Sequence, residues 1–340
     1  MIIVLNCGSQ SLKYKIFSKD FELIKKEERR IKRKKDYKKV LEKELKKLSI
    51  FENKVNKICH RVVHGGEKFR EPVKITKKNL KELKKYKNIA PLHNPYNILG
   101  IEISFKIFPQ AKQIAVFDTG FYSHLPKKAF IYPLPENLRK KYGFRKFGFH
   151  GISHEYAARR GAQEIKKPFS KLKIITCHLG GGASITAIKQ GKAIDTSMGF
   201  TPLEGLMMMT RSGDIDPGIV IRLSKDLSSE KLNKILNNFS GVKGISGLAD
   251  MKEVLEAIKR GDKKAKLALD IFVYRIQKYI GAYFALLNGC DLLVFTGAIG
   301  AGSQKIRKMI GGNLKILKNT KIISFPTNEE LLIAQKSQKL

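Results

Sequence analysis

The sequence predicts an α/β protein built from two related halves, and three observations carry that expectation. Short apolar strand-like runs alternate with helical patterns and glycine loops along the chain. A strand–glycine loop–strand unit occurs near the start of each half, the strongest sign of an internal duplication. The length of 340 residues suits two domains at roughly 100–200 residues each.

Residues 1–17 read as strand, turn, strand. Residues 2–5 are apolar, and Asn6-Cys7-Gly8-Ser9-Gln10-Ser11 has turn chemistry. Leu12, Tyr14 and Ile16 then alternate with Lys13 and Lys15. Residues 25–57 are rich in Lys and Glu. Within them Tyr37, Val40, Leu41, Leu45 and Leu48 share one face, which predicts an amphipathic surface helix. A strand over 113–117 ends on Asp118. The opening pattern returns as a strand over 173–178, the loop Gly180-Gly181-Gly182, a strand over 184–188, a Gln190-Gly191 turn and a strand over 192–195. Residues 264–288 predict a long helix stopped by Asn288-Gly289. Leu267, Ile271, Tyr274 and Ile280 follow its spacing, and Gly281 would admit close packing. The pattern fits a core helix and a dimer face alike. A last apolar strand, 292–295, runs into the glycine-rich segment 296–303.

Composition removes several classes. Hydrophobic residues make up 42%, so the chain is not disordered as a whole. With 28 glycines and 11 prolines it is neither collagen-like nor of low complexity. No apolar run reaches the ~18 residues of a membrane span, and the first residues lack a signal-peptide layout. A cytoplasmic protein is expected. Cys7, Cys59, Cys177 and Cys290 are widely separated and form no zinc or redox motif, so reduced thiols are expected. The net charge of +37 invites a nucleic-acid reading. However, lysine far outnumbers arginine and is spread along the whole chain. General lysine richness is the simpler source, with salt-sensitive sticking to polyanions as its consequence.

Glycine loops between strands leave backbone N–H groups facing an anion, and three of them suggest a polyphosphate ligand. There is no Walker A sequence and no G-x-G-x-x-G fingerprint. A duplicated sheet closing over a nucleotide between two domains is expected instead. Residues 196–217 have no regular period but carry Gly, Pro and Arg211, as binding loops do. His150 sits among small and aromatic residues, a setting in which a lone histidine is more often structural. Arg61 lies in a short apolar run before a glycine turn, placed to clamp an anion. Asp118 and Glu329 are candidates to hold Mg²⁺.

Taken together these segments resemble the acetate kinase family, within the sugar kinase, Hsp70 and actin superfamily. The motifs N-C-G-S-x-S-L-K-Y, H-R-V-V-H-G-G-E-K-F, A-P-L-H-N-P, V-F-D-T, G-F-H-G-x-S-H, the 196–217 stretch and P-T-N-E-E stand in the family's order. The resemblance implies two duplicated ribonuclease H-like (actin-like ATPase) domains with the active site in the interdomain cleft. On that basis the N-terminal domain is 1–122 with 331–340. The nucleotide-binding, dimerising domain is 123–330. It further implies a homodimer and reversible phosphoryl transfer between ATP and acetate, giving ADP and acetyl phosphate.

Residue by residue, the resemblance implies Mg²⁺ (or Mn²⁺) at Asn6 and Glu329, an ATP-phosphate lysine at Lys13 and a substrate arginine at Arg61. It makes Asp118, His150 and Arg211 catalytic. A second phosphate loop falls on His178, Leu179, Gly180, Gly181 and Gly182. Adenosine contacts fall on Asp250, Met251 and Lys252, and on Ala298, Ile299, Gly300, Ala301 and Gly302. The acetate methyl pocket falls on Val63, Leu92, Phe149 and Pro202. Acetate is already ionised at pH 7, so Asp118 need not be a base; it is expected to orient Mg²⁺ or its waters. Val63 favours a two-carbon acid, with propionate slower, since one methylene is worth about 1–3 kcal/mol.

The chain departs from the family pattern in places. It is shorter after Phe17 and before Pro326. Gln10 replaces a serine and Gly181 an asparagine. Ala298-Ile299-Gly300-Ala301-Gly302 stands for G-I-G-E-N, and Met251 and Lys252 stand for Phe and Arg. The adenosine end has therefore drifted more than the catalytic end. Rival expectations are a propionate or butyrate kinase, a regulatory protein without turnover, and a nucleic-acid binder. The complete catalytic set argues against the second, and the lack of aromatic stacking motifs beside the basic runs argues against the third.

Overall fold

The computed structural model describes residues 1–340 except Ser9, Gln10, Lys32, Leu92 and Asn313. The chain divides into unit 1, Met1–Ser123 with Asn328–Leu340, and unit 2, His124–Thr327.

Unit 1 carries β1 (Ile2–Cys7), β2 (Ser11–Phe17), β3 (Leu23–Arg30), β4 (Lys57–Val62), β5 (Val73–Lys74) and β6 (Lys112–Phe117). Among the described residues they form a sheet ordered β3-β2-β1-β4-β6-β5. β1, β2 and β3 run antiparallel, while β1, β4 and β6 run parallel. Ile3, Leu5, Leu12, Tyr14 and Ile16 pack under helix Tyr37–Leu48, whose Tyr37, Leu41, Leu45 and Leu48 are buried as their spacing predicts. The parallel step from β4 to β6 passes through helix Asn94–Ile107. That helix packs closely on β1, since a Cβ at Gly100 would lie 2.7 Å from Cys7 Sγ.

Unit 2 carries β7 (Lys173–Leu179), β8 (Ala183–Lys189), β9 (Lys192–Thr196), β10 (Leu292–Thr296) and β11 (Lys321–Ser324), ordered β11-β10-β7-β8-β9. β7, β8 and β9 run antiparallel, while β7, β10 and β11 run parallel. Each unit thus has a three-stranded antiparallel meander followed by two parallel strands, in the same order. Unit 1 adds only the short antiparallel edge β5. The duplication expected from the two glycine-loop hairpins is present at the level of topology.

Three details differ from the sequence reading. The pattern gave no sign of β3, because all but one of its residues are exposed; it is a charged edge strand defined only by its register with β2. The long helix is Lys263–Leu287, and its buried face is Ala265, Ala268, Leu269, Phe272, Val273, Ile276, Ile280, Tyr283 and Leu287. Of the four positions whose spacing fits a core helix and a dimer face alike, Ile280 is buried and Ile271 partly so, while Leu267 and Tyr274 are 53% and 59% exposed. A Cβ at Gly281 would meet nothing within 4 Å, so this glycine serves no close packing among the described residues. All four cysteines are free and buried.

Candidate active site

The first constellation, in unit 1, is a buried charge cluster around Arg61 in β4. Its Nε donates to both oxygens of Asp118, at 3.0 and 3.2 Å, and its Nη2 to Asp118 Oδ2 at 2.7 Å. Its Nη1 lies 3.0 Å from Glu329 Oε2. Neighbouring parallel strands make the first contact inevitable: Asp118 follows β6 directly, and its N–H donates to the Val62 carbonyl at the end of β4. Burial alone would lower the Arg61 pKa, but the two carboxylates raise it on balance. Burial pushes the Glu329 carboxyl up to about 7; Arg61 opposes this, while Asp118 and Glu330 add to it.

Glu330 is held below the usual carboxylate range by Lys15, 2.9 Å away, against its own burial. Lys15 also donates to Asn328 Oδ1 at 2.7 Å, which anchors Asn328 beside β2. Lys13 and Asn6 are register partners across β1 and β2, and Lys13 pairs with Glu28 at 2.9 Å on the surface. Two buried asparagines fix the loops around the cluster. Asn97 accepts from Val63 N–H and donates to the Cys7 carbonyl, at 3.0 and 2.8 Å. Asn94 accepts from His64 N–H at 3.1 Å and donates to the His64 carbonyl at 2.9 Å. Of the expected methyl pocket in this unit, Val63 is half-buried and Leu92 lies outside the described residues.

The second constellation, in unit 2, gathers on the glycine loop between β7 and β8. His150 is the N-cap of helix Gly151–Glu164 with φ 57°, a left-handed conformation rare for a residue with a side chain. Its Nδ1 lies 2.8 Å from Ser184 Oγ in β8. A Cβ at Gly182 would sit 3.3 Å from His150 Cε1 and 3.7 Å from Arg211 Nη1, so the two side chains converge on this glycine. His178 stacks on His150 with ring centroids 4.4 Å apart. It is tied through Ser153, 2.7 Å from its Nδ1, to Thr327 Oγ1 at 3.1 Å. Gly180 N–H donates to the Gly182 carbonyl, and Met209 N–H to that of Gly181, at 2.9 and 3.2 Å. Leu179 is buried, and a Cβ at Gly297 (φ 80°) would meet its carbonyl at 2.5 Å. The loop 297–302 therefore sits tightly on the end of β7.

Residues 196–217 are irregular up to helix Pro217–Ser224, as expected, and tightly pinned. Asp214 accepts from Gly205 N–H at 2.7 Å and from the Tyr279 hydroxyl at 2.6 Å. Glu204 is bonded to the Tyr132 hydroxyl and to Lys146. Arg211 Nη1 donates to the Pro202 carbonyl at 3.2 Å and contacts Met208 Sδ at 3.6 Å. Burial lowers its pKa. Phe149 is buried and Pro202 half-buried.

At the drifted end, Asp250 caps helix Met251–Lys259 by accepting from Lys252 N–H at 2.7 Å, with Met251 buried and Lys252 exposed. Ala298, Ile299, Gly300, Ala301 and Gly302 lie in the short helix Gly297–Gly302. Arg307 donates to the carbonyls of Gly300 and Ala301 at 2.9 and 2.7 Å.

Residues 19–320 match the model of the Acetokinase family. An acetate kinase of Carboxydothermus hydrogenoformans is 43% identical over the whole of this chain and 98% of its own length. This chain belongs to the acetokinase family. Membership makes it a phosphotransferase acting on acetate, with ATP or ADP as co-substrate and a divalent metal requirement. The acetate kinase of Porphyromonas gingivalis superposes with a TM-score of 0.90 at 34% identity, covering 99% of this chain and 98% of its own. A propionate kinase from Francisella tularensis also reaches 0.90, at 38% identity over 100% and 99% of the two chains. The repeated sheet topology is accordingly that of the actin-like ATPase fold.

Sequence reasoning gave no role to Ser184, Thr176, His154, Asn94, Asn97 or Asp214. A signal existed for the strand residues: Thr176 and Ser184 are polar positions inside otherwise apolar buried strands, which must find partners.

Proposed function

We propose that the chain catalyses reversible, Mg²⁺-dependent transfer of the ATP γ-phosphoryl group to acetate by direct in-line displacement, with the implied residues in the roles above. The observation that carries this reading is the contrast between two half-buried arginines. Arg61 is already faced by two carboxylates. Arg211 is desolvated, its described partners are a carbonyl and a thioether, and it shares the flank of Gly182 with His150. A desolvated cation beside an imidazole edge is suited to charge that develops only during reaction.

In this reading an acetate oxygen attacks the γ-phosphorus, and the bond from that phosphorus to the ADP oxygen breaks. Arg61 spends three of its five N–H groups on Asp118 and Glu329; one on each Nη remains for the acetate or phosphoryl oxygens. Both Asp118 oxygens accept from Arg61, so its proposed part is to aim Arg61 rather than to orient Mg²⁺ or its waters as expected from the sequence. Lys13 leaves its surface pairing with Glu28, worth about 0–1 kcal/mol, for the ATP phosphates. In the loop 178–182 Gly180 N–H is taken by the Gly182 carbonyl, so the N–H groups of Gly181 and Gly182 are the ones proposed to face them. Asn6 and Glu329 are the proposed metal ligands. The donor set fits a hard cation, because Asn6 and Glu329 offer oxygen ligands and a cation would offset the burial of the Glu329 carboxylate and its repulsion by Asp118 and Glu330. When bound, Mg²⁺, or Mn²⁺ with the same oxygen preference, neutralises phosphate charge.

Unit 2 is the proposed nucleotide-binding and dimerising part. The homodimer is supported by an exposed stripe on helix Lys263–Leu287, with Leu267 and Tyr274 open and Ala285 exposed further along it. Four free buried thiols support a reducing, cytoplasmic setting. No helix among the described residues is long and apolar enough to cross a membrane.

The test is acyl phosphate formation trapped with hydroxylamine, using MgATP and acetate, propionate or butyrate, with Arg211→Ala as the contamination control. Acetate-dependent product lost in the variant is expected, with propionate slower. No product from folded protein with any acid, or with GTP or pyrophosphate as donor, overturns the reading.

A further inference from the structure

His150 is the outer member of a chain of four hydrogen-bonded side chains. The Ser184 hydroxyl lies 2.8 Å from His150 Nδ1 and 2.7 Å from His154 Nε2. His154 Nδ1 lies 2.7 Å from the Thr176 hydroxyl in β7. His154, Ser184 and Thr176 are completely buried. The opposite edge of His150, Cε1–Nε2, is the one that lies against Gly182.

Counting hydrogens restricts the states of this chain. Burial, with His178 adding to it, holds His154 well below 6.5, so its ring is neutral and has one donor and one acceptor. Ser184 has one hydroxyl hydrogen between two ring nitrogens. One nitrogen receives that hydrogen and the other donates its own. Two arrangements satisfy every bond. In the first, Thr176 donates to His154 Nδ1, His154 Nε2 donates to Ser184, and Ser184 donates to His150 Nδ1. A neutral His150 then carries its hydrogen on Nε2, on the Gly182 side. In the second, every donor is reversed, and His150 has a donor at Nε2 only as a cation. The Arg211 guanidinium on the same flank of Gly182 disfavours a second buried cation there.

We propose that Thr176, His154 and Ser184 form a one-way relay that holds His150 as a neutral Nε2–H donor, with Ser184 and His154 as its positioning residues. The proposal rests on the role given above to His150 at the transferring phosphoryl group. A fixed donor needs no reorganisation during transfer, which is where such groups gain most of their effect.

Nitrogen NMR of the full chain labelled in histidine reads the tautomer directly, with the His150 signals identified by their loss in His150→Ala. The expected result is a neutral, Nε2-protonated His150 in the unaltered protein and a mixture of tautomers in Ser184→Ala. The kcat of Ser184→Ala falls about tenfold or more, yet less than the roughly 10²–10³ lost on deleting such a donor. KM for ATP and acetate stays within about threefold, since ground-state binding is untouched. His154→Gln, whose amide replaces the Nε2 donor, loses less than His154→Ala. A His150 found protonated on Nδ1 in the unaltered protein, or a Ser184→Ala enzyme with full kcat, overturns the relay. The role of His150 stands or falls separately: full turnover by His150→Ala overturns that role and leaves the tautomer result untouched.

Discussion

The two arginines should respond to truncation in opposite ways. Arg61, 18% exposed at its side chain, neutralises Asp118 at 2% and Glu329 at 10%. Removing one partner of a buried ion pair typically costs about 3–5 kcal/mol, because the remaining charge is stranded. Arg61→Ala should therefore lower the melting temperature markedly as well as lose turnover. Arg211 is a desolvated cation with no carboxylate among its described partners, so Arg211→Ala should lose turnover with little or no loss of melting temperature. Equal melting shifts in the two variants would contradict this division of labour. A second prediction at this scale concerns pH. Burial lowers His60 to about 4, partly offset by its bond to Gln113, and lowers His64 to about 4 as well. Both are depressed from 6.5 in the unfolded chain. Above pH 6.5 the rings are neutral in both states and the stability is fully present. Below it the unfolded chain takes up protons that the folded one refuses, so stability is lost as pH falls toward 4. Melting curves between pH 7.5 and 4.5 should show this slope, and His60→Gln should flatten it by about one proton.

The glycine loop between β7 and β8 is the element on which the second constellation depends. Gly182 lacks a positive φ, so alanine there is not strained in its backbone; its Cβ instead meets His150 at 3.3 Å and Arg211 at 3.7 Å. Gly182→Ala should fold normally yet lose about tenfold or more in kcat, since small misplacements of such groups are costly. Retained kcat would show that His150 and Arg211 do not need this close approach. This loop, its flanking strands and the irregular 196–217 stretch were legible in the sequence because local chemistry defines them: glycines, period-two alternation, and the absence of any period. The edge strand β3 was not, since an exposed charged strand has no buried face to print a pattern. The face that helix Lys263–Leu287 buries was left open by its spacing for the opposite reason. Apolar residues occur all round it, so spacing alone does not choose between Phe272 and Tyr274. The site was legible as motifs but not as a network. Arg61 and Asp118 are 57 positions apart, and only the register of β4 with β6 reveals that the two are paired.

At the scale of the whole molecule, the net charge of +37 and the open stripe on helix Lys263–Leu287 make opposing demands on self-association. Leu267, Ile271, Tyr274, Lys278, Gly281 and Ala285 recur at helical spacing along that stripe. Leu267 and Tyr274 are more than half exposed, and Gly281 offers a flat place where another backbone can approach. Burying such a face drives pairing, whereas two chains of +37 repel one another over a Debye length of about 30 Å at 0.01 M salt but only about 10 Å at 0.1 M. Dimerisation through this face should therefore strengthen with salt, the reverse of binding to a polyanion, which weakens steeply with salt. Sedimentation velocity at fixed protein concentration and rising NaCl, on nucleic-acid-free protein, should show the dimer fraction increase. Tyr274→Glu should remain monomeric across the series although it lowers the net charge, because it places a carboxylate in the centre of the face to be buried. A dimer that dissolves as salt rises, or that survives Tyr274→Glu unchanged, would mean that charge or another surface holds the two chains together.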